Sequence, residues 1–139
     1  MIFLDTNILL YLVDQSSRNR SKQEMSRQLL GRVDIVLSTQ VLIEFCNNAF
    51  RPKDKRNLLA HSEVSKLVTS WTRFQIVPVT IELILAALQS KERFGISHLD
   101  ALIVEAAKSA GCLEIYSEDL NHNQDYGGVR VINPFRQGS

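Results

Sequence analysis

The chain has 139 residues, enough for one domain with a substantial core and too few for two. At 45% hydrophobic and 22% charged residues it has an ordinary globular composition, and no apolar run is long enough to cross a bilayer. A formal net charge of +1 gives no overall attraction to a polyanion, so any contact with nucleic acid has to be local. The amino terminus lacks a basic stretch, and Asp5 interrupts its apolar run, which argues against a secretory leader and predicts a cytoplasmic location. Cys46 and Cys112 lie among apolar neighbours without metal or redox spacing and are expected to be reduced packing residues.

Met1 to Leu4 is predicted as a short buried strand, with Thr6 or Asn7 capping a helix signalled by Ile8, Leu9, Tyr11 and Leu12. Arg20 to Leu30 has helical composition, Gly31 ends it, and Asp34 to Ser38 reads as a second strand. Ser38 or Thr39 caps the next helix, which runs through Glu44 and stops near Pro52. Apolar residues from Leu58 to Trp71 predict a helix over Lys55 to Trp71, followed by a strand over Phe74 to Val79. Thr80 caps a helix closed by Gly95, and Ser97 starts another that runs to about Ala110. Leu113 to Tyr116 and Val129 to Ile132 are the last strands. The flexible pieces are expected at Asp14 to Asn19, His122 to Gly128 and residues 137–139, leaving a single domain over residues 1–136.

Short apolar strands alternating with helices predict an α/β fold, a three-layer α/β/α sandwich around a mainly parallel sheet. Ligands of such sheets sit at the carboxyl ends of the strands, where Asp5 and Asp119 fall directly after strand runs. Glu44 and Asp100 stand in comparable apolar settings, and if the fold gathers the four acids it builds a divalent-metal site. Each acid also has a plainer reading. Asp5 suits a helix cap, and Glu44 shares a polar helix face with Gln40, Asn47 and Asn48. Asp100 suits the first turn of a helix, and Asp119 a turn.

Taken together, the residues resemble the PIN domain, most closely the VapC-type toxins of bacterial toxin-antitoxin pairs, over nearly the whole chain. Phe3-Leu4-Asp5-Thr6-Asn7 is similar to that family's opening motif, and Glu44 occupies its helix acid. Ser97-His98-Leu99-Asp100-Ala101-Leu102-Ile103 resembles its central acidic motif, and Tyr116-Ser117-Glu118-Asp119-Leu120 its terminal one. The resemblance implies an endoribonuclease dependent on Mg²⁺ or Mn²⁺ that leaves a 5′-phosphate and a 3′-hydroxyl. Asp5, Asp100 and Asp119 would hold the metal and Glu44 would complete the site, with Thr6, Asn7 and Ser117 supporting. Asp119 is assigned by position, and Glu118 beside it is the alternative ligand. The implied partners are RNA, structured RNA such as tRNA among them, a cognate antitoxin and a second copy of the chain. Arg51, Lys53, Lys55 and Arg56 follow the Glu44 helix and would carry the RNA backbone toward the acids.

Rival chemistries fit less well. His61, His98 and His122 stand in unrelated contexts and do not make the acid-base pair of a histidine ribonuclease. An aspartate-nucleophile phosphatase requires Asp-x-Asp, and here the third position is Asn7. A receiver domain would need an acidic pair after its first strand and a late lysine beside its acceptor acid, and neither is evident. The remaining alternative is a catalytically silent PIN-like module that binds RNA or acts as a scaffold.

Overall fold

The computed structural model describes residues 1–50 and 59–136. Its strands are β1 (Ile2–Leu4), β2 (Ile35–Ser38), β3 (Gln75–Val77), β4 (Glu114–Tyr116) and β5 (Arg130–Ile132). Its helices are α1 (Thr6–Val13), α2 (Arg20–Leu30), α3 (Thr39–Ala49), α4 (His61–Trp71), α5 (Ile81–Phe94) and α6 (His98–Ser109). All three residues of β1 are buried although successive side chains point to opposite faces, so helices must cover both sides of the sheet. The five strands are parallel throughout, in the order β3-β2-β1-β4-β5. Phe3 faces Val36 on one side and Ile115 on the other, which sets the register at the centre of this α/β sandwich.

The strand order carries a functional consequence. From β1 the chain adds β2 and β3 on one side, then returns to add β4 and β5 on the other. The direction reverses between β1 and β4, and such a switch opens a crevice beyond the carboxyl ends of those two strands. Asp5 follows β1 and Ser117 follows β4, so both line that crevice edge.

Leu29 and Leu30 of α2 and Trp71 of α4 are core residues. Trp71 meets Phe45 edge to face at 4.8 Å, a geometry that adds roughly 0.5–1.5 kcal/mol beyond the area buried. Cys112 is buried and Cys46 half-buried, and both are free thiols. Thr80, Ser97 and Ser38 cap their helices as predicted, each accepting a backbone N–H on its hydroxyl. Gly95 closes α5 at φ 64°, a left-handed turn that glycine adopts without strain.

Four expectations need correction. Asp5, one residue before Thr6, holds the cap position of α1, and its Oδ1 accepts the Thr6 N–H at 2.7 Å. The helix predicted over Lys55 to Trp71 begins at His61; Leu59 and Ala60 precede it, while 55–58 lie outside the described residues. The Glu63 carboxylate accepts the Ala60 N–H at 3.0 Å, which fixes that start whatever the apolar spacing before it. The segment from His122 to Gly128, expected to be flexible, is tied down instead. Asn123 donates its N–H to the Val131 carbonyl, Tyr126 donates to Val129, and the Tyr126 ring is buried against Phe94. Asp14 to Asn19 is likewise pinned, because the Asp14 carboxylate accepts from Ser16 and Asn19 around a 3-10 turn over Ser17–Asn19. The tail 137–139 lies outside the described residues.

Candidate active site

Asp5 is the deepest of the four acids, 6% exposed at the end of β1. Its N–H donates to the Tyr116 carbonyl at 3.0 Å, extending the β1–β4 ladder by one residue and fixing where the side chain starts. Ser117, fully buried, donates its hydroxyl to Asp5 Oδ2 at 2.7 Å. The same Oγ accepts the N–H of Asp119 at 3.1 Å and of Leu120 at 3.4 Å. One hydroxyl therefore joins the acid after β1 to the loop after β4.

Asn7, in the first turn of α1, donates its amide to Asp119 Oδ2 at 3.0 Å and accepts the Glu118 N–H at 3.4 Å. Glu118 turns the other way. Its carboxylate accepts from Lys22 and from the Tyr11 hydroxyl, each at 2.5 Å. Burial raises the Glu118 pKa, but the bonds from Lys22 and Tyr11 outweigh it and hold the group below its usual range. Of the two adjacent acids, then, Glu118 is neutralised on the α2 side and Asp119 stays with Asn7 and the other acids.

On α3, the Thr6 hydroxyl donates to Glu44 Oε2 at 2.7 Å and the Gln40 amide donates to Glu44 Oε1 at 3.0 Å. Asp100 stands in the first turn of α6, where its N–H donates to the Ser97 hydroxyl at 3.1 Å. The plain roles of cap and first-turn acid are thus real for Asp5 and Asp100, and they coexist with the gathering of the acids.

That gathering shows in the electrostatics. Burial is the main cause that pushes Asp5 up to about 6; the bonds from Ser117 and Thr6 oppose it, and the charges of Asp119 and Glu44 add to it. Asp100 is raised chiefly by burial, with Ser97 opposing and Asp119 and Glu44 again contributing. No described lysine or arginine forms an ion pair with any of the four acids. Keeping Asp5 ionised in this setting costs on the order of 3 kcal/mol more than in water, which a nearby cation would remove. Among the described residues no three carboxylate, imidazole or thiol groups stand close enough to enclose an ion by themselves. The donor set fits a hard divalent ion in its chemistry, being all oxygen and anionic.

Two of the histidines make contacts outside this network: His122 accepts the Asn133 N–H on Nδ1, and His61 stacks on Phe50. Arg51, Lys53, Lys55 and Arg56 lie outside the described residues. Sequence reasoning missed Tyr11 and Lys22, whose partner is 107 and 96 positions away, and gave Gln40 only a place on a polar face. The signal for Gln40 was its position one helical turn before Glu44.

A PIN domain profile matches residues 2–124. No curated protein is close enough in sequence to match. Solved structures do match. The VapC20 toxin of Mycobacterium tuberculosis, described as cleaving the sarcin-ricin loop, aligns with TM-score 0.66 at 21% identity over 86% of this chain and 90% of its own. A toxin-antitoxin complex from Klebsiella pneumoniae gives 0.69 at 17%, covering 97% and 98%. VapBC2 of Rickettsia felis, solved on a DNA fragment from its promoter, gives 0.62 at 20%, covering 94% and 97%. At these identities the likeness is one of fold. With the profile spanning most of its length, this chain belongs to the PIN domain family.

Proposed function

We propose that the protein is a divalent-metal-dependent endoribonuclease and the toxin of a toxin-antitoxin pair, acting in the cytoplasm. The observation that carries this reading is the set of four acids at the carboxyl edge of the sheet, electrostatically coupled and without a basic partner among the described residues. Asp5, Asp100 and Asp119 would hold Mg²⁺ or Mn²⁺ directly or through water, and Glu44 would complete the site. When bound, the ion supplies a water of lowered pKa and positive charge for the scissile phosphate. The chain's own residues do the positioning. Ser117 and the Thr6 N–H hold Asp5 with one oxygen each, and Asn7 aims Asp119. Glu44, held by Thr6 and Gln40, would orient the attacking water and accept its proton. Hydrolysis would leave a 5′-phosphate and a 3′-hydroxyl. Structured RNA is the proposed substrate, with Arg51, Lys53, Lys55 and Arg56 as its phosphate track.

The partners follow from the relatives and from the surface. Two of the matched structures are described as toxin-antitoxin complexes or by a VapBC name, which supports an antitoxin as one partner. A second copy is supported by α5, where Ile81, Leu85 and Leu88 repeat at helical spacing and are 62%, 56% and 50% exposed. Antiparallel pairing of two α5 helices about a two-fold axis would set Glu82 of one against Lys91 and Arg93 of the other. Leu85→Glu should turn a dimer into a monomer in sedimentation; an unchanged mass moves the interface elsewhere.

Incubating the protein with total bacterial RNA in Mg²⁺, Mn²⁺ or EDTA, beside Asp100→Asn, tests the activity. The expected result is metal-dependent fragments bearing 5′-phosphates that the variant does not produce. A folded, metal-binding, antitoxin-free chain that cuts nothing would favour the silent RNA-binding or scaffold module.

A further inference from the structure

Gln40 is 8% exposed, an unusual depth for a glutamine, and its side chain bridges two elements that carry acids. Its Nε2 donates one proton to Glu44 Oε1 at 3.0 Å within α3, and the other to the Leu99 carbonyl at 3.1 Å in the first turn of α6. Both partners are acceptors, so the amide has one orientation only; flipping it would set Oε1 against a carboxylate and a carbonyl. The cost of that orientation is visible, since Oε1 is buried without a hydrogen bond. A packing role alone would not require both amide protons to be committed while the acceptor goes unmatched.

The Leu99 carbonyl belongs to the residue before Asp100, and Glu44 Oε2 is held by Thr6, the residue after Asp5. The chain of contacts runs from the Asp5 corner through Thr6, Glu44 and Gln40 to the N-terminal turn of α6. Resting on the reading of the acids as a metal-dependent nuclease site, we propose that Gln40 is a positioning residue. It sets the Glu44 carboxylate and fixes α3 against the start of α6, so that Glu44 and Asp100 keep the separation that cation binding and water orientation require. Residues that orient metal ligands in this way typically govern affinity by roughly 10–100-fold when replaced.

The test uses the full chain and two variants of similar size. Gln40→Met fills the space without either bond, and Gln40→Glu keeps the shape but turns an acceptor toward Glu44 and Leu99. Mn²⁺ binding is followed by water-proton relaxation with Mg²⁺ competition, and RNA cleavage is resolved into kcat and KM, with the fold checked by circular dichroism. Positioning predicts that Gln40→Met weakens Mn²⁺ binding about 10-fold or more and lowers kcat with KM little changed, and that Gln40→Glu is at least as weak. A purely packing residue would leave Gln40→Met like the wild type, while Gln40→Glu adds a charge. A purely electrostatic effect would make its added charge bind the cation more tightly. Mn²⁺ affinity of Gln40→Met within about twofold of wild type, or tighter binding by Gln40→Glu, overturns the assignment. Failure of the wild type to bind Mn²⁺ overturns the metal reading together with it, and is told apart because the wild type alone shows it. Should Gln40→Met not fold, Gln40→Glu decides the matter.

Discussion

At the amino edge of the sheet Asp34, just before β2, accepts two bonds from Arg32 at 2.8 and 2.7 Å, and that partner holds its carboxyl down at about 2. At the carboxyl edge Asp5, just after β1, has only uncharged donors, and burial lifts it to about 6. Glu118 and Asp119 repeat the contrast across one peptide bond, the first tied to Lys22 and the second left among acids. A net charge of +1 thus hides a segregation in which described cations accompany acids outside the crevice edge and are withheld from those at it. Uncompensated carboxylates oppose folding, and their clustering at one edge supports the proposal that this edge takes a cation.

The largest effect on that contrast should come from Asp100→Asn, which removes one uncompensated charge from a half-buried position while Ser97 still caps α6 through the backbone. Cleavage should fall on the order of 10³-fold, comparable to losing a group that stabilises transition-state charge. Stability should stay within about 0.5 kcal/mol or rise slightly, as repulsion from Glu44 and Asp119 is relieved. Urea unfolding of the metal-free variant checks this; a collapse of stability would return Asp100 to being a first-turn helix acid. Asp5→Asn is the poorer probe. Its new amide would face the Ser117 hydroxyl, whose lone pairs already serve Asp119 and Leu120.

Ser117→Ala attacks the contrast from the structural side, leaving Asp5 Oδ2 and two backbone N–H groups short of a partner in a buried place. A loss of about 2–4 kcal/mol is expected from unfolding midpoints. A loss below about 0.5 kcal/mol would mean that water replaces the hydroxyl and that Ser117 does not set the geometry.

A divalent cation should reverse the behaviour of the carboxyl edge. The folded pKa of Asp5, about 6, lies above the unfolded value of roughly 3.9, so its contribution is fully present below pH ~4 and is lost as pH rises through 6. Metal-free protein should therefore lose up to about 3 kcal/mol from this group between pH 4 and pH 7.5. Saturating Mg²⁺ should restore about 2.7 kcal/mol at a hundred times its Kd. Thermal melts with and without Mg²⁺ at the two pH values read both effects; a Mg²⁺ response larger at the acidic end would contradict the sign.

How much of this could be read beforehand depended on the range of the interaction. Strand and helix order, the caps at Ser38, Thr80 and Ser97, and the glycine stop at Gly95 are local, and the sequence carried them. The carboxyl-edge position of Asp5 and Asp119 followed from strand ends alone. The start of α4 was missed because apolar residues ahead of it matched helical spacing, while the deciding bond is a side-chain cap from Glu63. The fate of Glu118 was undecidable locally: Tyr11 and Lys22 reach it from α1 and α2, and chain spacing carries no trace of that meeting. Gln40 was visible as a neighbour of Glu44, but its second bond crosses to α6, 59 positions away. Apolar runs specify where a carboxylate emerges; which polar group then claims it is settled by tertiary contacts between distant segments.

The smallest effect belongs to the amino edge, where Asp34→Asn removes an exposed charge from its pair with Arg32. Exposure to solvent makes the contribution modest, but its sign is opposite to that of Asp5. The folded pKa of about 2 lies below the unfolded value of roughly 3.9, so the stabilisation is complete above pH ~4 and disappears as pH falls toward 2. The difference in urea midpoint between wild type and variant should therefore be largest near neutrality and close to zero at pH 2. A difference independent of pH would mean that Asp34 acts through its backbone, whose carbonyl accepts the Ile2 N–H at 2.9 Å at the start of the β1–β2 ladder. The metal-free wild type then carries two opposed slopes on one sheet, and the Asp34 variant isolates the one that Mg²⁺ should leave untouched.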